Sequence, residues 1–469
     1  MCVLLAVVSM SLGLLMITGC GEAPKGKPFT IVWNYDTSGY LEPCGCSSYQ
    51  LGGLPRRATQ VAELRKEHPV LAIEGARNLE EGGAFRLFKS EIMVKSLNAM
   101  KYDAIVVGVQ EAQHGASGIK SIADLADFPV VSANLKVEGA SWIKPFVVKE
   151  VAGNRVAVTG ASQVEMVDYD MPEGIGFEDP LTAIESVLTA IGNKADLVVL
   201  CLEGETGWID KVTGQFRDRV DLFLTGDRKG IERLSHSEIM KRAGFTANPP
   251  LLNNLAEGRY LGIVEVQPKR GGKYRFTGSN LPLEEKIADD AVVHDIMVKD
   301  FRPQLENYFA EFTGNIPQTY LPAKACSDCH PDEYEKYTST GHFQAMATLE
   351  EDGQLYNPDC MGCHLSYNPE KDHLETMHCV GCHGNIIWDH AFQAEEGMVE
   401  MPDPPVTAYT LEWCERCHDP GNSLPFEKHW PQYVHQIYHG GDKSAAVAAA
   451  ERMGLDITQP PPDFASAME

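Results

Sequence analysis

Basic side chains are scarce in this chain: 40 Lys and Arg stand against 66 Asp and Glu in 469 residues, a formal net charge of −26. That balance excludes nucleic acid as a partner and favours basic redox proteins steered in by the field. After the first 19 residues no apolar run of membrane length occurs, so no further spanning helix is expected. Even that first run is short for a span, and no Lys or Arg precedes it. Histidine is rare through the first two-thirds, because eleven of the fifteen lie in the last third. The stretch from Cys326 to His418 is also poor in aliphatic residues, which excludes an ordinary apolar core there.

What fills that stretch is Cys-x-x-Cys-His, four times: Cys326-Ser-Asp-Cys329-His330, Cys360-Met-Gly-Cys363-His364, Cys379-Val-Gly-Cys382-His383 and Cys414-Glu-Arg-Cys417-His418. Each copy places two thiols to form thioethers with the vinyl groups of one porphyrin and a histidine to ligate its iron. A pair of zinc sites would use the Cys-x-x-Cys pairs but leaves the following histidine unexplained. Four covalent c-type haems are therefore expected, supplying the missing apolar volume, with short helices at the attachment sites and little sheet. His330, His364, His383 and His418 are the proximal ligands. Seven further histidines, His342, His373, His378, His390, His429, His435 and His439, offer distal ligands, and their density favours bis-histidine ligation and low potentials.

The run from Ala325 through His330-Pro-Asp-Glu-Tyr-Glu-Lys-Tyr, with Thr340-Gly-His342-Phe-Gln-Ala, resembles the opening of the tetrahaem cytochrome c family typified by the nitrifier cytochrome that accepts electrons from hydroxylamine oxidation. The likeness continues through Asn357-Pro-Asp-Cys360, Cys382-His383-Gly and Cys417-His418-Asp-Pro-Gly-Asn-Ser, about a hundred residues in all. It implies His342 and His390 as distal ligands. His435 is the third choice, and the fourth stays open between His373, His378 and His439, since the family also tolerates a five-coordinate haem.

At the other end, Met1 to Gly19 close on Leu15-Met-Ile-Thr-Gly-Cys20, which reads as a lipoprotein signal with Cys20 as the acylated residue. The expected place is the bacterial cell envelope, lipid-anchored, on the periplasmic or outer-membrane face. Residues 20–28 read as a tether. From Phe29 the chain alternates buried-strand and helix patterns, as a layered α/β domain does. Candidate strands are Phe29 to Trp33, Val70 to Ile73, Ala104 to Val107, Val130 to Leu135, Val156 to Thr159, Leu197 to Leu200 and Leu222 to Leu224, with a hairpin built on Tyr260 to Val266. Glu284 to Phe312 read as one amphipathic helix with Ile287, Ala291, Ile296, Met297, Phe301, Leu305 and Phe309 on its apolar face. The expected domains are 29–285 (α/β), 286–322 (helix and linker), 323–440 (haem module) and 441–469 (tail).

The segments Asp36-Thr-Ser-Gly-Tyr-Leu-Glu-Pro, Gly52-Gly-Leu-Pro-Arg-Arg-Ala-Thr, Leu97-Asn-Ala-Met-Lys-Tyr-Asp-Ala, Phe128-Pro-Val-Val-Ser-Ala-Asn-Leu and Val220-Asp-Leu-Phe-Leu-Thr-Gly resemble the metallophosphoesterase domain of bacterial 5′-nucleotidases and the thiosulfohydrolase of sulfur oxidation. The resemblance implies a four-layer αββα sandwich, followed here by the small, mainly α, haem-packed module in place of the family's distal substrate domain. It also implies a dinuclear metal site, of which only Asp36 survives. Ser38, Arg77, Val109, Gln110, Glu203, Asp227 and Lys229 stand where the other ligands would be. What the region has gained is thiol: Cys44-Gly-Cys46 in the first strand-to-helix loop, and Cys201, read as ending a strand on the same rim as that loop. A redox or metal role for Cys44 and Cys46 stands beside the plain alternative of a structural pair.

Three functions follow. The first is a lipid-anchored electron carrier whose phosphoesterase-like domain is scaffold or docking surface. The second is a haem-dependent oxidoreductase acting at Cys44 and Cys46 on a sulfur or selenium compound. The third is residual hydrolysis through Asp36, Glu203 and Asp227. The first is the reading adopted.

Overall fold

The computed structural model describes residues 26–44, 50–79, 84–164, 171–226, 244–254, 257–316, 319, 322–368, 372–383, 409–418, 426–440 and 442–461. Two sheets face each other. The first runs Tyr274–Pro282, Tyr260–Pro268, Phe29–Asn34, Val70–Glu74, Ala104–Val106, Val130–Val131, Ile143–Lys144. The second runs Gly244–Ala247, Pro250–Asn254, Leu222–Gly226, Leu197–Glu203, Asn154–Ser162, Val147–Val151.

Strand periodicity makes the four layers. Successive side chains leave a strand on opposite faces, so Ile31 and Trp33 meet Leu71, Ile73, Val156, Val158, Val199 and Leu224 between the sheets. Val32, Ala72 and Ile105 point the other way, against Val61, Ile92 and Leu97 of the helices Leu54–Glu67 and Ala84–Ala99. On the far side Ala157, Leu200, Leu202 and Phe223 pack on Ile184, Leu188 and Val212 of the helices Pro180–Ile191 and Thr206–Phe216. Strands buried on both faces must be apolar throughout, and all six residues of Phe29–Asn34 are buried. The result is helix, sheet, sheet, helix.

Phe29–Asn34 pairs in parallel with Val70–Glu74, Trp33 opposite Ile73, after a crossover through Leu54–Glu67. A parallel pair requires such a crossover, and it delivers loops to the carboxyl ends of the strands. Pro55 starts that helix, and Asp179, accepting from the Thr182 N–H at 2.8 Å, starts Pro180–Ile191.

The segment expected to be one helix from Glu284 to Phe312 departs from that form. Helix begins at Ala291, capped by the Asp290 carboxylate on the Val292 and Val293 N–H groups. It then widens to a π-helix over Met297–Phe301, tightens to a 3-10 helix over Arg302–Tyr308, and ends as Phe309–Phe312. The buried residues are Val293, Met297, Phe301 and Leu305, four apart throughout. A spacing of four drifts around a helix of 3.6 residues per turn, so the π stretch keeps the row facing the core. Pro303 lacks an N–H and crowds the carbonyl four residues back, which ends the regular form. Ala291, expected on the apolar face, is exposed.

The C-terminal module is built from short helices: Ala323–Cys326, Pro331–Thr338, Gly341–Glu351, Pro358–His364, Cys379–His383, Leu411–Cys414 and Phe426–Ile437. Sheet is limited, among the described residues, to the hairpin Leu365–Asn368 with His373–Thr376. Its apolar clusters are small, one on Ile316, Leu349, Met361, Leu365 and Leu374, the other on Phe426, Trp430, Val434, Ala446 and Ala449. The last two belong to the helix Ser444–Met453, so part of the segment read as tail packs on the module. Phe85 and Phe88 of Ala84–Ala99 stack with Phe301, Tyr308 and Phe312, while Phe309 meets Tyr356 and Tyr367, joining the two domains through aromatic contacts. Among the described residues no helix is long and apolar enough to cross a membrane.

Candidate functional site

The loops after four strands converge on one rim. Asp36 follows Phe29–Asn34, Arg77 follows Val70–Glu74, Val109 to Glu111 follow Ala104–Val106, and Glu203 ends Leu197–Glu203. Asp36, Ser38 and Arg77 all have left-handed φ, at 51°, 47° and 64°. Non-glycine residues held there cost of order 1–3 kcal/mol each, so the surrounding contacts impose the geometry. One such contact is the buried Arg57, which meets Glu74 at 2.8 Å and donates to the Thr37 hydroxyl at 3.0 Å.

Arg77 sits between the carboxylates. Its Nε donates to Asp36 Oδ2 at 3.1 Å, a terminal nitrogen lies 3.8 Å from Glu203 Oε1, and Ser38 donates its hydroxyl to Asp36 Oδ1. Burial alone would lower the Arg77 pKa, but Asp36, Tyr35 and Glu203 outweigh it and hold the guanidinium charged. Glu203 also accepts the Val109 N–H at 2.9 Å, and a Cβ on Gly108 would lie 1.9 Å from Glu203 Oε2, so only glycine fits there. Glu111 is fully buried and accepts from the N–H groups of Asn78 and Gly108. Burial, and then the nearby Glu203, push its pKa up to about 8. Asp36 and Glu203 come together with Arg77 as the sequence implied, while Asp227 and Lys229 lie outside the described residues. Gln110 is buried, and Val109 contributes only its backbone.

The thiols separate. Cys201 is placed mid-strand in the second sheet with its side chain between the sheets, not at the rim of the Cys44 loop. Strand alternation decides this, and burial pushes the thiol well above its usual range. Pro43–Cys44 pairs with Leu51–Gly52, closing the base of the thiol loop, and Cys46 lies outside the described residues. Glu42, just before that pair, makes a two-point contact with Arg302 at 2.9 and 3.1 Å.

In the C-terminal module the four attachment motifs ride on helical turns. Cys360, Cys363 and His364 share Pro358–His364, and Cys379, Cys382 and His383 share Cys379–His383. Residues three apart on a helix lie on one face, which is what two thioether bonds to one porphyrin need. The Cys379 thiol donates to Cys326, whose pKa is drawn down to about 7, and Cys417 is near enough to Cys382 and Cys414 to influence both by its charge. The motifs are thus neighbours in space.

Two pairs of imidazoles lie close together, their planes inclined by 55° and 62°. His342 and His418 have ring centroids 5.9 Å apart, and His383 and His439 have theirs 6.0 Å apart. Imidazoles on opposite sides of one metal, with nitrogen–metal bonds of roughly 2 Å, have centroids roughly 6 Å apart, so both spacings fit an iron. Nδ1 of His364 meets the Ala345 carbonyl at 2.9 Å and Nδ1 of His439 meets the Ile437 carbonyl at 2.8 Å. Such a bond fixes the tautomer and presents Nε2 to a metal. Burial, then His342 and His364, bring His418 down to about 4, so its ring is neutral at pH 7. His435 Nδ1 is buried with no hydrogen-bond partner among the described residues, His373 is exposed, and His378 is tied to Glu375 at 3.3 Å. His390 and Cys20 lie outside the described residues.

Residues 325–419 match the family model described as cytochrome c554 and c-prime. Haem c is the cofactor that this match implies, with redox partners and electron transfer as the associated chemistry. The rest of the chain is similar to 5′-nucleotidases. It is 26% identical over 311 residues to the 5′-nucleotidase of Homo sapiens, covering 59% of this chain and 52% of that protein. It is 26% identical over 291 residues to the snake venom 5′-nucleotidase of Crotalus adamanteus, covering 56% and 48%. The chain thus spans about half the length of these relatives. Among solved structures, the Haemophilus influenzae NAD nucleotidase aligns with a TM-score of 0.51 at 15% identity, covering 69% of each chain. A 5′-nucleotidase precursor from Thermus thermophilus aligns with a TM-score of 0.50 at 18% identity, covering 60% of this chain and 59% of that one. Those alignments establish the α/β fold alone.

Sequence reasoning missed Glu111, because an acid in the first turn of a helix ordinarily serves the helix dipole. It missed Lys89 as well, a lysine inside an amphipathic pattern that gives no sign of burial. His439 was left among three choices because spacing along the chain does not tell which ring a histidine will face.

Proposed function

We propose that this chain is an electron-transfer cytochrome of the bacterial cell envelope, holding four c-type haems at its Cys-x-x-Cys-His sites and tethered through a lipid on Cys20. The observation that carries this reading is the set of four motifs inside one cytochrome-family match, with facing histidines spaced for an iron. His330, His364, His383 and His418 serve as proximal ligands. The geometry favours His342 opposite His418 and His439 opposite His383, with His390, His435 and His373 remaining for the other two haems. Bound haem supplies reversible one-electron chemistry. The chain's own part is to hold the imidazoles in place and to bring the attachment sites close, Cys326 hydrogen-bonded to Cys379 and Cys382 near enough to Cys417 to be influenced by its charge, where bound haems would be neighbours.

In this reading the α/β domain is a scaffold or docking surface without hydrolytic activity. Arg77 supports that: a guanidinium paired with Asp36 and Glu203 occupies the charge that two divalent metals would balance. A second reading, an oxidoreductase working at Cys44 and Cys46, is favoured by the contact of Glu42 with Arg302, which ties the thiol loop to the segment leading into the haem module.

One expression experiment tests the main reading. In a host with haem maturation, the protein is expected in the membrane fraction with a pyridine haemochrome equivalent to four haems per chain. The Cys20→Ser variant should carry the same haem and appear in the soluble exported fraction. Protein without covalent haem overturns the cytochrome reading, and a variant that stays on the membrane overturns the anchor.

A further inference from the structure

Lys89 lies on the helix Ala84–Ala99 of the α/β domain with its side chain only 1% exposed. An ammonium is costly to bury unless it is paired. Its partner comes from the other domain: Nζ is 2.8 Å from Asp359 Oδ2, and Asp359 immediately precedes Cys360, the first attachment cysteine of the second motif. Asp359 is itself held, because its N–H donates to the Asn357 side chain in the cap of Pro358–His364. The ammonium also lies over the rings of Tyr40, at 5.9 Å, and Phe85, at 5.6 Å. Tyr40 belongs to the rim loop that reaches Glu42 and its contact with Arg302. The rim loop and the second haem site therefore meet at one buried cation.

We propose that Lys89 is a positioning residue that sets the reduction potential of the haem attached at Cys360 and Cys363. This rests on haem being bound there, and it gives the α/β domain an active part in the redox chemistry. A positive charge beside a haem favours the form carrying the extra electron, and a negative charge favours the oxidised form. Lys89 is shielded from water and acts at low effective dielectric, whereas Asp359, a quarter exposed, is partly screened. Lys89 and Asp359 pull in opposite directions. Removing one leaves the other uncompensated.

The test is an anaerobic potentiometric titration of the full-length haem-loaded protein, followed in the visible spectrum, for wild type, Lys89→Met, Lys89→Arg, Asp359→Asn and the double variant Lys89→Met/Asp359→Asn. In Lys89→Met one component should move to lower potential, its reduced-to-oxidised ratio at fixed potential falling on the order of tenfold, which is 59 mV for one electron. In Asp359→Asn the same component should move the other way. The double variant should return towards wild type, and Lys89→Arg should leave the component in place. A purely structural contact predicts that both single variants shift in the same direction, or that all components broaden together. Either result, or no shift in either single variant, overturns the proposal. If Lys89→Met fails to accumulate with haem, Asp359→Asn and Lys89→Arg decide: an upward shift in the first with none in the second supports it, and any other pattern overturns it. Failure of the underlying haem assignment is separately visible, as a haemochrome one haem short in the wild type.

Discussion

Glu111 and Glu203 share one dry corner of the rim, and among the described residues only Glu203 has a cation beside it. Two carboxylates at close quarters do not both ionise readily, and Glu111 takes the proton, with its pKa raised to about 8. The folded value lies above the unfolded one, so the proton on Glu111 favours the fold fully below about pH 4.5, and that contribution is lost as pH rises through about 8. Glu203→Gln removes the like charge and should bring the folded pKa of Glu111 down. Wild type should therefore lose more stability than Glu203→Gln between pH 5 and 9, by about 1–2 kcal/mol, since a tenfold change in proton affinity is worth about 1.4 kcal/mol. Denaturant unfolding at pH 5, 7 and 9 measures it, and parallel pH profiles for the two proteins would refute the assignment. In the same corner Arg77 already serves Asp36 and Glu203 as a counter-ion, which is the charge argument behind the proposed non-hydrolytic reading.

At the scale of elements, what was legible in the sequence is what burial dictates. Strands such as Phe29–Asn34 and Leu197–Glu203 announce themselves as apolar runs because both faces are covered. The short helical turns expected at the motif cysteines are present, as at Pro358–His364 and Cys379–His383. The linking segment was misread since a row of residues four apart fits an α-helix over one or two turns and a π-helix over three. Cys201 was misplaced by the parity of one strand. For distal ligands the sequence offered only a surplus of histidines, and the structure adds that the His439 ring lies 6.0 Å from His383 and packs against Tyr409. If that pairing holds iron, His439→Ala should turn one low-spin haem high-spin in the oxidised visible and EPR spectra, and added imidazole should restore the low-spin form. An unchanged spectrum would remove His439 from the ligand set and return the choice to His373 and His378.

Over the whole molecule, charge is unevenly placed. Residues 323–440 hold 20 Asp and Glu against 5 Lys and Arg, a net −15 out of −26 in about a quarter of the chain. In the proposed reading haem propionates would add to it, and a basic partner would be steered to this module and not to the α/β domain. That distribution favours exchange at haem edges, whereas the two-point contact of Glu42 with Arg302 brings the thiol loop's base to the junction. The two readings part at Cys44 and Cys46, the only closely spaced cysteines outside the haem motifs. A carrier needs no thiol, because its electrons enter and leave through haems whose ligands are untouched by changes there. Replacing both cysteines with Ser should then leave total haem, spectrum and rate unchanged when the dithionite-reduced protein is reoxidised in a stopped-flow instrument by sulfur or selenium oxyanions. A small artificial acceptor serves as control, since it reads the haem edges alone. Equal rates for variant and wild type with every acceptor support the carrier. Slowing confined to the sulfur or selenium acceptors would make the thiols part of the electron path and the protein an oxidoreductase, because a lesion in haem packing would slow the artificial acceptor as well.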